Sequence, residues 1–167
     1  MMRLYIVRHG IAELRNISGL DDDRALTREG MEKMRLAARG LKKAGYVPER
    51  ILSSPLVRAR QTAEILMDAF GPEVSMEISS DLSPSGDRGS LYRKVVRYAG
   101  TVHRLMLVGH QPSLGEIAGD LAWGSPDHYF NFKKGGVCVI DLDDFQGELR
   151  GSLSAFLPPS VLRNLAG

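Results

Sequence analysis

Short apolar runs alternate along the chain with longer stretches in which apolar residues recur at helical spacing. The runs at residues 4–7, 51–53 and 105–108 are built mainly from Val, Ile and Leu. Their composition and length are typical of buried parallel strands. A weaker run over 74–78 alternates apolar with polar residues, which predicts an outer strand.

The longer stretches predict four helices. Thr27 is expected to cap the first helix, which ends near Gly45. Ser54 followed by Pro55 predicts the start of the second, because proline is favoured at the first helical position. The predicted helices cover residues 28–44, 55–70, 91–99 and 112–121. The residues expected to face the core are Met31, Met34, Ala38, Leu41, Leu56, Ala59, Ala63, Leu66, Leu114, Ile117, Ala118 and Leu121.

Two late apolar runs complete the predicted architecture. Residues 137–142 and 152–156 predict strands that pair through a turn at 143–148. Strands that alternate with helices and end in a hairpin predict an α/β protein, a three-layer α/β/α sandwich with a mainly parallel sheet. With no repeat or linker in 167 residues, and about 150 residues per domain, we expect a single domain over 1–167.

Composition and charge exclude several classes of protein. The chain has 22 basic and 20 acidic residues, and its net charge of +2 is not the footprint of a nucleic-acid-binding protein. Cys138 is the only cysteine, which excludes an internal disulfide and a cysteine-cluster zinc site. The sequence contains no apolar run long enough to span a membrane and no signal-peptide pattern at its start. We therefore expect a cytoplasmic protein.

Chemically versatile side chains follow three of the predicted strands. Arg8 and His9 come directly after the first strand, and Arg58 lies shortly after the second. His110 follows the third strand, separated from it by one glycine. Because the carboxyl ends of parallel strands meet at one edge of a sheet, where ligands bind, we expect these four side chains to converge.

Two arginines and two histidines at one place suit a phosphoryl group. Each guanidinium can donate paired hydrogen bonds to phosphoryl oxygens, and the helices expected at Pro55 and Pro112 add backbone donors. A neutral imidazole among these donors can attack phosphorus, and the arginines supply the positive charge that a metal would otherwise provide. The pattern alone leaves other interpretations open, with the arginines as surface or ion-pairing residues and His110 as a capping or core residue.

Residues 4–10 (LYIVRHG) resemble the signature of the histidine phosphatase (phosphoglycerate mutase-like) superfamily. Residues 25–30 (ALTREG), 53–63 (SSPLVRARQTA) and 107–112 (LVGHQP) are similar to further blocks of that superfamily, in the same order. The short length and the segment 82–87 (LSPSGD) resemble its SixA-type phosphohistidine phosphatases. The resemblance implies a phosphoglycerate mutase-like fold and a phosphatase that needs neither metal nor cofactor.

The same resemblance implies a role for each residue at the strand ends. His9 is the nucleophile that becomes transiently phosphorylated, and Arg8 and Arg58 bind the phosphoryl oxygens. His110 stabilises the transferring group through an N–H donor, charged or neutral. Gly10 allows the backbone to approach closely beside the nucleophile.

One position departs from the wider superfamily. Mutase-like members carry a glutamate that donates a proton to the leaving oxygen, and Pro84 stands at the matching position here. Asp81 and Asp87 are the nearby carboxylates that are candidates to replace it. An alkoxide needs that proton, whereas an imidazole leaves a phosphoramidate far more readily. The missing acid therefore favours phosphohistidine over phosphomonoester substrates.

Three functions remain in competition at this stage. The leading hypothesis is a monomeric phosphatase that dephosphorylates a histidine on a protein such as a phosphotransfer domain, with no nucleic-acid or membrane partner. The second is a small-molecule phosphomonoesterase or mutase, against which we count the absence of a sizeable insertion above the expected site. The third is a non-catalytic phosphate-binding module, which has no need of a nucleophile.

Other polar residues have weaker interpretations. We interpret Asp21–Asp23 as a solvated loop rather than a metal or acid site. His103 and His128 lack metal-ligand spacing and are expected to be structural or surface residues. The pair at 133–134 (KK) either attracts an acidic partner or is simply solvated, and Glu13 receives no role.

Overall fold

The computed structural model describes residues 1–145 and 148–167, and within them six strands form one sheet. The strands are β1 (Met2–Arg8), β2 (Arg50–Ser53), β3 (Ser75–Ile78), β4 (Arg104–Gly109), β5 (Val137–Asp144) and β6 (Arg150–Leu157). Their order in the sheet is β3-β2-β4-β1-β5-β6. The strands from β3 to β1 are parallel, and β5 runs antiparallel to both β1 and β6. The predicted mainly parallel sheet and the late hairpin are confirmed, while part of the predicted turn, 146–147, lies outside the described residues.

The register of the parallel strands brings their carboxyl ends to one edge. Arg8 pairs with Gly109 across β1 and β4, and Ser53 pairs with Val108 across β2 and β4. The residues that follow these three strands therefore emerge side by side.

Five helices cover the sheet in the part of the chain that the structure describes. They are α1 (Arg28–Lys43), α2 (Val57–Phe70), α3 (Arg88–Tyr98), α4 (Ser113–Trp123) and α5 (Pro159–Leu165). The predicted cap of α1 is confirmed, because the Thr27 side chain accepts a hydrogen bond from the Gly30 N–H at 2.9 Å. Gly45, with φ of 81°, lies just beyond the end of this helix, as predicted. None of the described helices is long and apolar enough to cross a membrane.

Two apolar layers separate the helices from the sheet. Successive side chains of β1 point to opposite faces, so Tyr5 and Val7 pack with α1, α2 and α5, whereas Leu4 and Ile6 pack with α3 and α4. This arrangement is the predicted three-layer α/β/α sandwich. Of the predicted inward positions, Met31 is only partly buried, while Met34, one turn further along α1, is buried.

Three helix boundaries differ from the prediction. Helix α2 begins at Val57 rather than Pro55, because the Ser54 hydroxyl bonds to a histidine and does not cap the helix. Helix α3 begins three residues early, at Arg88, because the Asp87 side chain caps it by accepting the Ser90 N–H at 2.6 Å. Helix α4 continues to Trp123.

Helix α5 is absent from the sequence prediction, since its seven residues are too few to show a clear apolar period. Close packing against α1, rather than an apolar period of its own, holds α5 in place. A Cβ on Gly40 of α1 would lie 1.9 Å from the Leu162 carbonyl oxygen, so only glycine permits this contact. Leu162 itself is fully buried.

Candidate active site

The ends of β1 and β4 bring two histidine rings together at one edge of the sheet. His9 follows β1 and His110 follows β4, and their ring centroids lie 5.1 Å apart. The His9 N–H donates to the Gly109 carbonyl at 3.0 Å, which extends the strand pairing by one residue. The convergence predicted from the strand ends is therefore present for these two residues.

His9 is held in one tautomer by the backbone. Its Nδ1 lies 2.7 Å from the Gly10 carbonyl oxygen. Because a carbonyl oxygen only accepts hydrogen bonds, Nδ1 carries the proton and Nε2 keeps its lone pair. Burial lowers the pKa of His9 to about 3, against the opposing effect of the Gly10 hydrogen bond. The ring is therefore neutral near pH 7 and has the form that a nucleophilic imidazole requires.

The segment 132–136 fixes Arg8 beside this histidine. The Arg8 guanidinium donates through Nη1 to the Phe132 carbonyl at 2.5 Å. The Arg8 N–H donates to the Gly136 carbonyl at 3.1 Å, and the Gly135 N–H donates to the Arg8 carbonyl at 3.0 Å. Burial lowers the pKa of Arg8, but an arginine begins so high that the group stays charged. Arg8 is thus a fixed, half-buried cation.

Arg58, in the first turn of α2, is almost completely buried and is held from the other side of the site. It donates to the Asp21 carbonyl oxygen through Nη1 at 2.8 Å and to the Asp21 carboxylate through Nη2 at 3.0 Å. Hydrogen bonds from Arg24, and then from Arg58, lower the pKa of the Asp21 carboxyl. Asp21–Asp23 is exposed, as predicted for a solvated segment, but the 59% exposed side chain of Asp21 also pairs with Arg58, a contact that was not predicted.

Gly10 and Thr62 connect the two arginine-bearing segments. The Gly10 N–H donates to Thr62 Oγ1 at 3.0 Å, and the Thr62 hydroxyl donates to the Arg58 carbonyl at 2.7 Å. A Cβ on Gly10 would lie 2.7 Å from Cγ of Met34, so a side chain there would force the buried Met34 side chain to move. Sequence reasoning gave Thr62 no role. Its position one helical turn after Arg58 could have indicated that it lies beside this arginine.

His110 is positioned by a side chain. Its Nε2 lies 2.7 Å from Ser54 Oγ, which also accepts the Leu56 N–H at 3.3 Å. Burial, followed by the charge of Arg58, lowers the pKa of His110 to about 4, so this ring is neutral near pH 7. Since a hydroxyl can both donate and accept, Ser54 holds the His110 ring in place in either tautomer.

Three side chains of this cluster retain a buried polar nitrogen without a hydrogen-bond partner among the described residues. The atoms are Nε of Arg8, Nε of Arg58 and Nδ1 of His110. Buried polar groups are normally paired, so unpaired donors concentrated in one cluster require an explanation. Binding of an anion with several oxygens would satisfy donors of this kind.

The remaining candidates lie elsewhere or have local partners. Asp87 is exposed and caps α3, and Asp81 accepts the Ser79 hydroxyl at 3.3 Å. His103 and His128 are exposed, as expected for surface residues. Among the described residues, no group of three or more His, Cys, Asp or Glu side chains is arranged to hold a metal ion.

Lys134 is a site neighbour to which sequence reasoning assigned no definite role. Partial burial, followed by the charges of Arg8, Arg24 and Arg58, lowers its pKa. Its neighbour Lys133 is exposed. The two lysines of the pair are therefore not equivalent, and only Lys134 lies within the electrostatic influence of the site.

Residues 4–83 match the family model of the histidine phosphatase superfamily (branch 1). The matched segment contains Arg8, His9 and Arg58, together with the loop that carries Asp21.

Relatives extend this similarity over most of the chain. Phosphohistidine phosphatase SixA of Escherichia coli is 33% identical over 145 residues, which cover 86% of this chain and 87% of the relative. An uncharacterised protein of a Picosynechococcus species is 44% identical over 138 residues, covering 81% and 82% of the two chains. The solved structure of the protein histidine phosphatase SixA complexed with tungstate has a TM-score of 0.86 at 30% identity, covering 96% of this chain and 99% of that one. The chain therefore belongs to the histidine phosphatase superfamily, among its SixA-type members.

Proposed function

We propose that this protein removes the phosphoryl group from a phosphorylated histidine on another protein, such as a phosphotransfer domain. The observation that carries the proposal is the neutral His9, whose Nε2 is free to attack and whose neighbours include Arg8 and His110. We infer that the enzyme works as a monomer in the cytoplasm, without metal or cofactor.

The proposed reaction has two displacements at phosphorus. In the first, the Nε2 lone pair of His9 forms a bond to phosphorus while the bond to the substrate imidazole breaks. That imidazole takes the bonding pair and departs neutral, because its other ring nitrogen has first taken a proton from solvent. In the second, water attacks the phosphohistidine, the bonding pair returns to Nε2, and one proton of the water stays on the released phosphate while the other passes to solvent. Arg8 and Arg58 stabilise the charge on the phosphoryl oxygens in both steps.

The leaving group supports a phosphohistidine substrate over a phosphomonoester. Pro84 occupies the position of the glutamate acid, and it is exposed. Asp87, one of the two candidate replacements, caps α3, and Asp81 accepts a hydrogen bond from Ser79. A substrate imidazole needs less help from an acid than an alkoxide does. The relative from Escherichia coli is a phosphohistidine phosphatase, which agrees with this choice.

The test is dephosphorylation of a phosphohistidine protein set against a panel of phosphomonoesters. We expect the phosphoprotein to be turned over much faster than any sugar phosphate, and His9→Ala to lose at least about 10³-fold in rate because the nucleophile is gone. A labelled, acid-labile phosphoenzyme should form with the wild type only.

Three results would contradict the proposal. Comparable turnover of a sugar phosphate would favour the small-molecule phosphomonoesterase. Near wild-type activity of His9→Ala would exclude His9 as the nucleophile. Absence of turnover and of a phosphoenzyme with every donor would leave a phosphate-binding module.

A further inference from the structure

A second cationic cavity adjoins the candidate active site on the side of α1 and α5. We call it the basic groove, and its volume is about 380 Å³. The cations Arg8, Lys33, Lys133, Lys134 and Arg163 line it, together with the apolar residues Met34 and Pro159. Arg8 therefore belongs both to the groove and to the cluster around His9.

Glycine keeps the groove open next to Arg8. Gly135 has a φ of 81°, a conformation that side chains with a Cβ rarely adopt. A Cβ at this position would also lie 3.0 Å from Sδ of Met34 and 3.7 Å from Cβ of Pro159. Because the Gly135 N–H donates to the Arg8 carbonyl, the wall of the groove and the active-site loop form one hydrogen-bonded unit.

The charge of the groove has one sign. Every ionisable side chain among its described lining residues is a cation, although the whole chain carries a net charge of only +2. Lys33 forms an ion pair with Glu29 on the exposed side of α1. Lys134 and Arg163 have no carboxylate within 4 Å among the residues that the structure describes. Glu29, whose pKa is lowered by Lys33 and also by the charge of Arg163, offsets part of this charge, and the rest of the groove stays cationic.

We propose that the basic groove binds carboxylate side chains of the substrate protein that flank its phosphohistidine. This inference rests on the proposed function. Arg8 lies at the junction, so a molecule that places a phosphoryl group at Arg8 extends naturally towards Lys33 and Arg163. An aspartate or glutamate has a charged end for the surrounding cations and a short apolar stem that can lie against the partly exposed Pro159.

The experiment compares two synthetic phosphohistidine peptides that differ only in their flanks. One carries Asp and Glu beside the phosphohistidine, and the other carries Asn and Gln. We expect kcat/KM to be about three- to tenfold higher for the acidic peptide, mainly through KM, as for two partly exposed ion pairs.

Variants that remove charge from the groove test whether the preference for the acidic peptide arises there. In the Lys33→Met/Arg163→Met double variant we expect the preference to disappear, while turnover of the neutral peptide stays unchanged and verifies the fold. Arg39→Met is the matched control, because Arg39 is exposed on α1 and lies outside the lining of the groove.

The possible outcomes separate the two proposals. Equal kcat/KM for both peptides contradicts the proposal that the groove binds carboxylates, and it leaves the proposed phosphohistidine phosphatase activity intact. If Arg39→Met loses the preference for the acidic peptide equally, the carboxylate-binding role of the groove is also wrong, because general attraction to a basic protein would then explain the effect. Failure to dephosphorylate either peptide overturns the proposed function, and this inference with it.

Discussion

The two histidines of the candidate site are both buried and both neutral near pH 7, yet different parts of the molecule hold them. His9 donates from Nδ1 to a backbone carbonyl of its own loop, that of Gly10. His110 is held by a side chain, the Ser54 hydroxyl, which arrives from the end of β2. A backbone acceptor survives any substitution, whereas the hydroxyl is removed by one. The His9 side is therefore the robust half of the site, and the His110 side is the half that mutation can adjust.

The arginines show the same contrast. Arg8 is bound to backbone groups of the segment 132–136, whereas Arg58 is bound both to the backbone carbonyl of Asp21 and to its exposed carboxylate. Only the carboxylate contact of Arg58 responds to the protonation and substitution of a side chain.

Among the substitutions that compare the two halves of the site, the largest loss of kcat/KM is expected at Arg8, on the robust half. Arg8→Ala should lower kcat/KM about 10²- to 10³-fold, because it removes donors that meet developing charge on the phosphoryl group. Arg8→Lys should recover little, since an ammonium group cannot reproduce the paired geometry of a guanidinium. Steady-state kinetics with a phosphohistidine protein measures both. Near wild-type activity of Arg8→Ala would show that the phosphoryl group does not bind there.

The pH dependence of stability tests both histidines together. Burial lowers the pKa of His9 to about 3 and that of His110 to about 4, whereas each returns to its ordinary value near 6.5 on unfolding. Below about pH 6.5 the unfolded chain therefore binds more protons than the native one, so stability falls as pH falls. Between pH 7 and pH 5 each histidine should cost about 2 kcal/mol of unfolding free energy.

Urea unfolding at several pH values measures this loss. The control is the His110→Gln variant, which should lose about half as much stability over the same range as the wild type. A wild-type free energy that is flat between pH 7 and pH 5 would contradict the neutral, buried state of the two rings.

The smallest effect is expected from Ser54, on the adjustable half. Ser54→Ala should lower kcat about tenfold and change KM less, because it removes the hydrogen bond that holds the His110 ring without removing a phosphoryl ligand. Ser54→Thr, which keeps the hydroxyl, should retain more of the activity. The nitrogen chemical shift of His110 Nε2 should change in the alanine variant, because this atom loses its hydrogen-bond partner there.

Ser53→Ala is the matched control for this prediction. Ser53 is as buried as Ser54, but its hydroxyl donates to the Ser54 carbonyl at 3.0 Å and has no contact with His110. If the two alanine variants lose activity equally, the loss reports damage to the turn and the positioning role of Ser54 is wrong.

Features set by local pattern were predictable. The apolar runs that became β1, β2 and β4 placed Arg8, His9 and His110 at the carboxyl ends of strands, and the cap at Thr27 was correct. Features set by contacts between distant segments were not. The contacts of Ser54 with His110 and of Asp21 with Arg58 were not predicted, because the partners are remote in sequence. Ser54 was instead expected to cap α2, and the loop at Asp21 was expected to be solvated.

The amino-acid sequence by itself determined the order of strands and helices and the residue types at the strand ends, because periodicity and capping act within a few residues. Tertiary structure alone decided which donor meets which acceptor. The tautomer of His9 follows from the path of the loop at Gly10, and the contact of His110 with Ser54 follows from the register that brings β2 beside β4. The low pKa values of both rings have the same origin, because desolvation depends on the layers packed above and below the sheet edge.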